Sequence, residues 1–346
     1  MEPVGTGPGL GRLWFAWAAF VNSLLFVVVA GLLYKAFTMY TKGVCRSKQQ
    51  MDGKTVIITG GNAGIGKETA KELARRKARV ILACRNLEKA DKAAQEILRE
   101  THQRVVVKHL DLASFKSVLE FAQDIIQTEA RLDVLINNAG MIHGGSDVLT
   151  EDGFEVCFQS NYLSHFLLTF LLLDLLKKSA PSRIINLSSV LHHFGSIEHF
   201  EDKARGTYPW KYPLFVYSNT KLAVTAFTRV LAKKLVEHGQ QPVTVHGSAP
   251  GLILTVTFQS EKKEGITGYI AGSCLWRPTP REGAQTTLHL ALEPSLEKVT
   301  GHYFEDCRKA RVSYRLLNRD LSERVFALTA KLVNIDGSEM GKLLST

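Results

Sequence analysis

The sequence contains no CxxC pair, no basic run interleaved with aromatics, no internal repeat and no low-complexity tract. Each absence removes a class of protein. The five cysteines (Cys45, Cys84, Cys157, Cys274 and Cys307) are odd in number and widely scattered. Free thiols of a reducing compartment are therefore expected, rather than a disulfide framework or a thiolate metal site. Without a basic stretch carrying aromatics, nucleic acid is not an expected partner, although the formal net charge is +10. The paired basics Lys177–Lys178, Lys233–Lys234 and Lys262–Lys263 suit a solvated face, an anionic lipid or an anionic small molecule. With 346 residues, 45% of them hydrophobic, the chain can bury one large core, and no composition shift marks a second folded domain.

One long apolar run is present. Leu13 to Tyr34, LWFAWAAFVNSLLFVVVAGLLY, carries no charge and only Asn22 and Ser23 as strongly polar residues. As a helix it would extend about 33 Å, matching a hydrocarbon core of about 30 Å. It is too long for the apolar part of a cleaved signal, and no small-x-small site follows it, so a transmembrane anchor is expected. Only Arg12 precedes the run, whereas Lys35, Lys42, Arg46 and Lys48 follow it. That asymmetry directs the C-terminal side to the cytosol.

Beyond the anchor, short apolar segments rich in β-branched residues alternate with amphipathic ones. TVIIT (Thr55–Thr59), RVILAC (Arg79–Cys84), VVVKHL (Val105–Leu110), DVLIN (Asp133–Asn137), RIINLS (Arg183–Ser188) and VTVHGSA (Val243–Ala249) read as strands buried on both faces. Lys67–Lys77, Leu87–Thr101 and Ser114–Thr128 read as the helices between them. The repeated alternation predicts an α/β fold: a single doubly wound parallel sheet, Rossmann-like, with helices on both faces and right-handed crossovers.

The first strand runs into TGGNAGIG, Thr59 to Gly66, and a helix follows. A glycine-rich turn from strand to helix lets backbone approach a diphosphate, with the helix N-terminus aimed at its charge. The glycines Gly60, Gly64 and Gly66 are spaced more widely than in the GxGxxG fingerprint. The second strand ends in ACRN, offering Arg85 where an acid would bond the ribose 2′-hydroxyl of NAD. Arginine there suits a 2′-phosphate, so NADP(H) is the expected cofactor. Further on, Tyr217 and Lys221 in YSNTK lie four residues apart, on one face of a helix.

The motifs TGGNAGIG, NNAG (Asn137–Gly140), NLSSV (Asn186–Val190) and YSNTK occur in the order and approximate spacing of the short-chain dehydrogenase/reductase family, which the chain resembles from about Gly53 to Tyr303. GKETAKELARR, LDLAS, RLDVLINNAG, TEDGFE, NYLSHFLLT and EGAQT resemble the membrane-anchored retinol dehydrogenase branch, although Ala249 stands where that branch usually has histidine before Pro-Gly. The resemblance implies a catalytic set of Asn161, Ser189, Tyr217 and Lys221. Tyr217 is the implied acid/base, since reducing a carbonyl needs a proton delivered to oxygen as hydride reaches carbon. An ordinary tyrosine, with a pKa of about 10, is poorly matched to that task, and an adjacent ammonium is expected to lower it. Lys221 would supply that charge and bond the nicotinamide ribose. Ser189 would bind the substrate oxygen, with Ser188 the competing assignment. Asn161 would hold a helix kink and a water leading from the lysine to solvent. Cofactor contacts are implied for Gly60, Asn62, Gly64, Ile65, Gly66, Arg85, Asp111, Leu112, Asn138, Gly140, Tyr217, Lys221, Pro250, Gly251 and Thr255.

The resulting organisation is a tail (residues 1–12), an anchor (13–34), a basic linker (35–52), a dinucleotide-binding catalytic domain (53–310) with a substrate lid at 256–280, and a helical tail (311–346). Expected function is NADP(H)-dependent interconversion of a lipophilic alcohol and its aldehyde or ketone, with retinol/retinal implied by the resemblance. Steroids, sterols and fatty aldehydes stay open as substrates, as does a non-catalytic NADP-binding membrane scaffold. The endoplasmic reticulum or lipid droplet is the expected location, and the family's dimers imply a homodimer. The adjacent His192 and His193 have no ligand partners nearby in sequence; they are read as loop residues, and no metal is expected.

Overall fold

The computed structural model describes residues 9–142, 148–209, 212–239, 242–250, 279–335 and 337–345. The chain divides into two units, residues 1–42 with 261–277, and residues 43–260 with 278–346. In the first, a single helix, α1, runs Gly9–Thr41, beyond the expected anchor at both ends. It exposes a row of large apolar side chains from Trp14 and Phe15 to Leu32 and Leu33. Among the described residues no helix is long and apolar enough to cross a membrane.

The second unit is an α/β sandwich around one sheet. Its elements are β1 (Thr55–Thr59), α2 (Gly64–Arg75), β2 (Arg79–Cys84), α3 (Leu87–Thr101), β3 (Val106–His109), α4 (Phe115–Thr128) and β4 (Val134–Asn137). Then follow α5 (Val156–Phe158), α6 (Ser164–Leu171), α7 (Leu173–Lys178), β5 (Ser182–Leu187), α8 (Phe200–Ala204), α9 (Pro213–Glu237) and β6 (Val243–Ala249). The C-terminal part holds α10 (Pro280–Leu292), β7 (His302–Glu305), β8 (Arg308–Lys309), α11 (Arg319–Leu332) and α12 (Gly337–Ser345). Strand order is β3-β2-β1-β4-β5-β6-β7-β8, parallel throughout except for the β7–β8 pair. Between β1 and β4 the order reverses direction, which opens a crevice at the carboxyl ends of those strands.

The near-continuous apolar strands are sorted by the period of two. Ile57, Ile81, Leu135, Ile184 and Val245 belong to the core under α4, α6, α9 and α11. Val56, Ile58, Val80, Leu82, Ile136 and Ile185 join the core under α2, α3 and α10. The first layer is aromatic: Phe326 of α11 packs on Phe166, Phe170 and Phe227, with centroids 5.2, 5.9 and 6.2 Å away. The expected C-terminal tail thus closes the core, and its packing partners are α6 and α9.

Two strands are absent from the sequence reading, and the sheet is not wholly parallel as expected. β8 returns antiparallel on β7 through Asp306 and Cys307, both with positive φ (48° and 57°). A two-residue turn of that shape favours Asn-Gly. Asp-Cys gives no such signal, which is why the hairpin was not legible.

Candidate active site

β1 delivers Thr59 to the crevice, and the turn after it is made of backbone. Gly60 and Gly64 have φ of +65° and +55°, conformations that glycine adopts without strain. At Gly66 a β-carbon would stand 2.5 Å from Asn138 Nδ2 and 2.7 Å from the Gly60 carbonyl, so a side chain has no room there. Asn138 braces the turn, its Nδ2 donating to the Thr59 carbonyl (2.7 Å) and the Gly60 carbonyl (3.3 Å). α2 then starts with Ala63 as N-cap and no side-chain cap, leaving the first-turn N–H groups without one of their usual partners. Nothing stands within 4 Å of where a Gly64 β-carbon would be. An uncapped helix start beside an open glycine fits a dinucleotide's diphosphate. Asn62 is half-buried and Ile65 buried at the same turn.

Arg85 is exposed at the carboxyl end of β2, and the next residue, Asn86, caps α3 by accepting from the Lys89 N–H (2.8 Å). Asp111 follows β3; its Oδ1 accepts from the Ala113 N–H at 3.0 Å. The Leu112 carbonyl accepts from Ser164 Oγ at 2.7 Å. Gly140 is exposed at the end of NNAG, where a β-carbon would lie 3.3 Å from Lys221 Nζ. Pro250 is half-buried at the end of β6. Gly251, Thr255 and residues 256–278 of the lid expected at 256–280 lie outside the described residues, while Thr279 and Pro280 cap and begin α10.

α9 brings the side-chain chemistry. Its Pro213 fills the first turn, where a missing N–H costs nothing. One polar stripe, Tyr217, Lys221, Thr225 and Thr228, then follows β5. Lys221 Nζ donates to the Leu187 carbonyl (2.8 Å) and lies 5.4 Å from the centre of the Tyr217 ring. Thr225 and Thr228 meet Ser188 Oγ (2.7 Å) and Asn186 Nδ2 (3.0 Å). Ser188 is buried in that contact and also reaches the Lys221 carbonyl at 3.1 Å. Ser189, one residue later, is half-exposed and lies beside the Tyr217 phenol. The Ser188 hydroxyl is spent on Thr225 and Lys221, and only Ser189 lies beside Tyr217.

The electrostatics differ from the sequence expectation. Burial pushes the Tyr217 phenol up to about 12, and the opposing influence is the neighbouring Ser189 hydroxyl. Lys221, wholly buried, is itself pushed down to about 8 by loss of solvent. Helical spacing does put the two on one face, but the ammonium is tied to the β5 carbonyl, and desolvation dominates both groups.

Asn161 sits in a π-helical turn, Gln159–Leu163, between α5 and α6, at the place where a helix kink is expected. Its amide clamps the Met141 backbone: Oδ1 accepts from the N–H (2.8 Å) and Nδ2 donates to the carbonyl (2.9 Å). Nδ2 also reaches Thr220 Oγ1 at 3.3 Å.

Two residues that sequence reasoning passed over complete the frame. Thr59 Oγ1 accepts from the N–H groups of Asn138 and Ala139, both at 2.9 Å, and lies 2.9 Å from His165 Nε2. His165 Nδ1 in turn lies 3.2 Å from the Asn161 carbonyl. With both Thr59 lone pairs engaged, its O–H donates to Nε2, so Nδ1–H donates to Asn161. Burial holds His165 down to about 4, so it is neutral. The available signal was positional: His165 lies four residues past Asn161, and Thr59 directly precedes the glycines. His192, read as a loop residue, is instead fully buried in a 3-10 turn, Val190–Phe194. Among the described residues no group of three or more His, Cys, Asp or Glu side chains is arranged to hold a metal ion.

With this geometry in view, likeness to known proteins becomes informative. A family model described as short chain dehydrogenase matches residues 54–200. Human retinol dehydrogenase 12 is 43% identical over 303 residues, covering 86% of this chain and 91% of that protein. A solved protein from Mycobacterium paratuberculosis superposes with a TM-score of 0.67 at 30% identity, covering 85% of this chain and 98% of its own. A Shigella flexneri short chain dehydrogenase solved with NADP gives 0.59 at 25% identity, covering 75% and 100%.

Proposed function

Because this chain belongs to the short-chain dehydrogenase family of nicotinamide-dependent oxidoreductases, we propose that it reduces a lipophilic aldehyde or ketone to its alcohol with NADPH, retinal being the first substrate to try. The observation that carries this reading is the Ser189 hydroxyl beside the Tyr217 phenol at the carboxyl end of β5, with Lys221 Nζ 5.4 Å from the same ring, near an uncapped, glycine-lined helix start. When bound, the nicotinamide would supply the hydride. The chain's own residues handle the proton and the oxygen. A phenol pushed up to about 12 retains its proton at neutral pH, which is the form an acid needs before reduction. Ser189 donates a second hydrogen bond to the oxygen on which charge develops. Lys221, buried without a carboxylate contact among the described ion pairs and held near 8, can exchange a proton near neutrality and would bond the ribose hydroxyls. Asn161, through its clamp on Met141, fixes the segment that faces Lys221, and a water there would lead to solvent. The remaining expected cofactor contacts, from Gly60 through Asp111 and Asn138 to Thr255, belong to this same reading.

Arg85 supports NADP over NAD: it is exposed at the β2 end and no acid takes its place. The cytosolic NADP pool is kept largely reduced, which favours the alcohol as product. The retinol dehydrogenase relative supports a retinoid substrate. The exposed apolar row of α1 supports attachment to a bilayer from which such a substrate could be collected, with the catalytic unit on the basic, cytosolic side. Purified full chain in detergent, given NADPH and a panel of all-trans-retinal, ketosteroids and long-chain aldehydes, tests the reading. NADPH consumption with retinal is the expected result; turnover of ketosteroids alone moves the substrate. NADPH binding without turnover of any carbonyl favours a non-catalytic scaffold.

A further inference from the structure

His192 lies between the strand end that carries Ser189 and the C-terminal segment, and both of its ring nitrogens are engaged. Nδ1 is 2.7 Å from the Ser189 carbonyl, and Nε2 accepts from the Ser313 N–H at 3.0 Å. A carbonyl can only accept and an N–H can only donate, so the ring must carry its hydrogen on Nδ1 and keep a lone pair on Nε2. A charged imidazolium would set two N–H groups against each other at Ser313. The same Ser189 carbonyl also accepts from the His192 backbone N–H (3.0 Å), while Ser189 Oγ accepts from the Leu191 N–H (3.2 Å). The ring is fully buried, with its centroid 4.7 Å from that of Tyr303 and 4.1 Å from that of His193. A second tie runs alongside: Arg315 donates to the His193 carbonyl at 3.3 Å.

From this geometry we propose that His192 is a positioning residue, a neutral clip through which the seating of the C-terminal segment at Ser313 fixes the place of the Ser189 hydroxyl beside Tyr217. The proposal rests on the reading of Ser189 as the group that binds the substrate oxygen. It also gives the C-terminal segment a function beyond closing the core. Ser189 follows β5 by two residues and caps only the short 3-10 turn Val190–Phe194. Its carbonyl is held by the His192 ring, and that ring is held in turn by the Ser313 N–H of the C-terminal segment, which fixes the backbone that carries the hydroxyl.

Three variants and a double-mutant cycle test this. His192→Phe removes both bonds. His192→Asn keeps an amide N–H near the Nδ1 position, and so the grip on Ser189. His192→Gln keeps an acceptor near the Nε2 position, and so the bond from Ser313. With NADPH and retinal, kcat is expected to fall at least tenfold for Phe and Gln and to recover to within about threefold of wild type for Asn. KM for NADPH should stay within about twofold in all three. In a Ser189→Ala background, His192→Phe should cost almost nothing further, because its effect passes through Ser189. Equal losses in the Asn and Gln variants, or an additive cycle, would overturn the proposal in favour of plain packing. Amide hydrogen exchange separates failure of the clip from failure of the functional reading. Leu191 N–H should lose protection in the Phe and Gln variants and keep it in the Asn variant, whether or not any carbonyl is turned over. Unchanged protection at Leu191 in the Phe variant would also overturn it.

Discussion

The two sides of the crevice are built by opposite means. The turn after β1 is made by leaving side chains out: Gly60, Gly64 and Gly66 supply backbone and space, and α2 begins without a side-chain cap. The side formed by β5 and α9 is made by burying polar side chains, each paired with another: Ser188 with Thr225, Asn186 with Thr228, and Lys221 with a strand carbonyl. An unpaired buried polar group costs roughly 1–3 kcal/mol, so this second side stands only as a complete set. The first tolerates change wherever the backbone still fits; the second tolerates little. Damage on one side should appear in cofactor binding, and on the other in turnover.

Tyr217→Phe breaks the comparison hardest. It removes one hydroxyl and is expected to lower kcat by about three orders of magnitude, while NADPH binding followed by fluorescence changes less than twofold. If both fall together, the two sides are not separable. The serine pair sharpens it further. Ser189→Ala should cost about a hundredfold in kcat with little change in melting temperature. Ser188→Ala should reverse that pattern, losing about 1–2 kcal/mol of stability with kcat largely kept, because its hydroxyl is spent on Thr225 and Lys221.

On the glycine side the effects are smaller and fall on binding. Gly66→Ala forces a β-carbon to within 2.7 Å of the Gly60 carbonyl, which must move, so NADPH affinity should drop about tenfold at a stability cost of about 1–3 kcal/mol. Arg85→Asp should leave the fold unchanged and shift the NADPH-to-NADH preference in kcat/KM about tenfold toward NADH. Titration of either side with the two dinucleotides checks both.

Acid tests the buried side as a whole. Burial holds His165, His192 and His246 near 4, below the usual 6.5. Between pH 6.5 and 4 the unfolded chain binds protons that the folded chain refuses, so stability falls as pH falls. The slope is about 1.4 kcal/mol per pH unit for each histidine, and the loss is complete near pH 4. Urea midpoints at pH 7 and pH 5 measure it, and His165→Gln should flatten the difference. A midpoint unchanged over that range would mean that these rings are not held neutral by burial.

Residues of the glycine side were readable before any coordinates because the chemistry there is backbone chemistry, and glycine is the only residue that permits it. The side-chain cluster was readable as a set of types in order, which is enough to nominate Tyr217, Lys221 and Ser189. It was not readable as a circuit. Nothing in NYLSHFLLT says that His165 reaches Thr59, more than a hundred residues earlier. Nor does SSVLHHFG say that His192 meets Ser313. The expectation that Lys221 lowers the phenol came from spacing alone, which counts charge and omits burial.

Periodicity, the glycine spacing and the β-branched strand segments determined by themselves that this chain folds as a doubly wound sheet with a nucleotide crevice, since each is a local constraint on backbone and hydration. Which buried hydroxyl answers which imidazole, and how high a phenol is held once water is gone, was decided only by tertiary contact. Dielectric and hydrogen-bond pairing are properties of what surrounds a group in space.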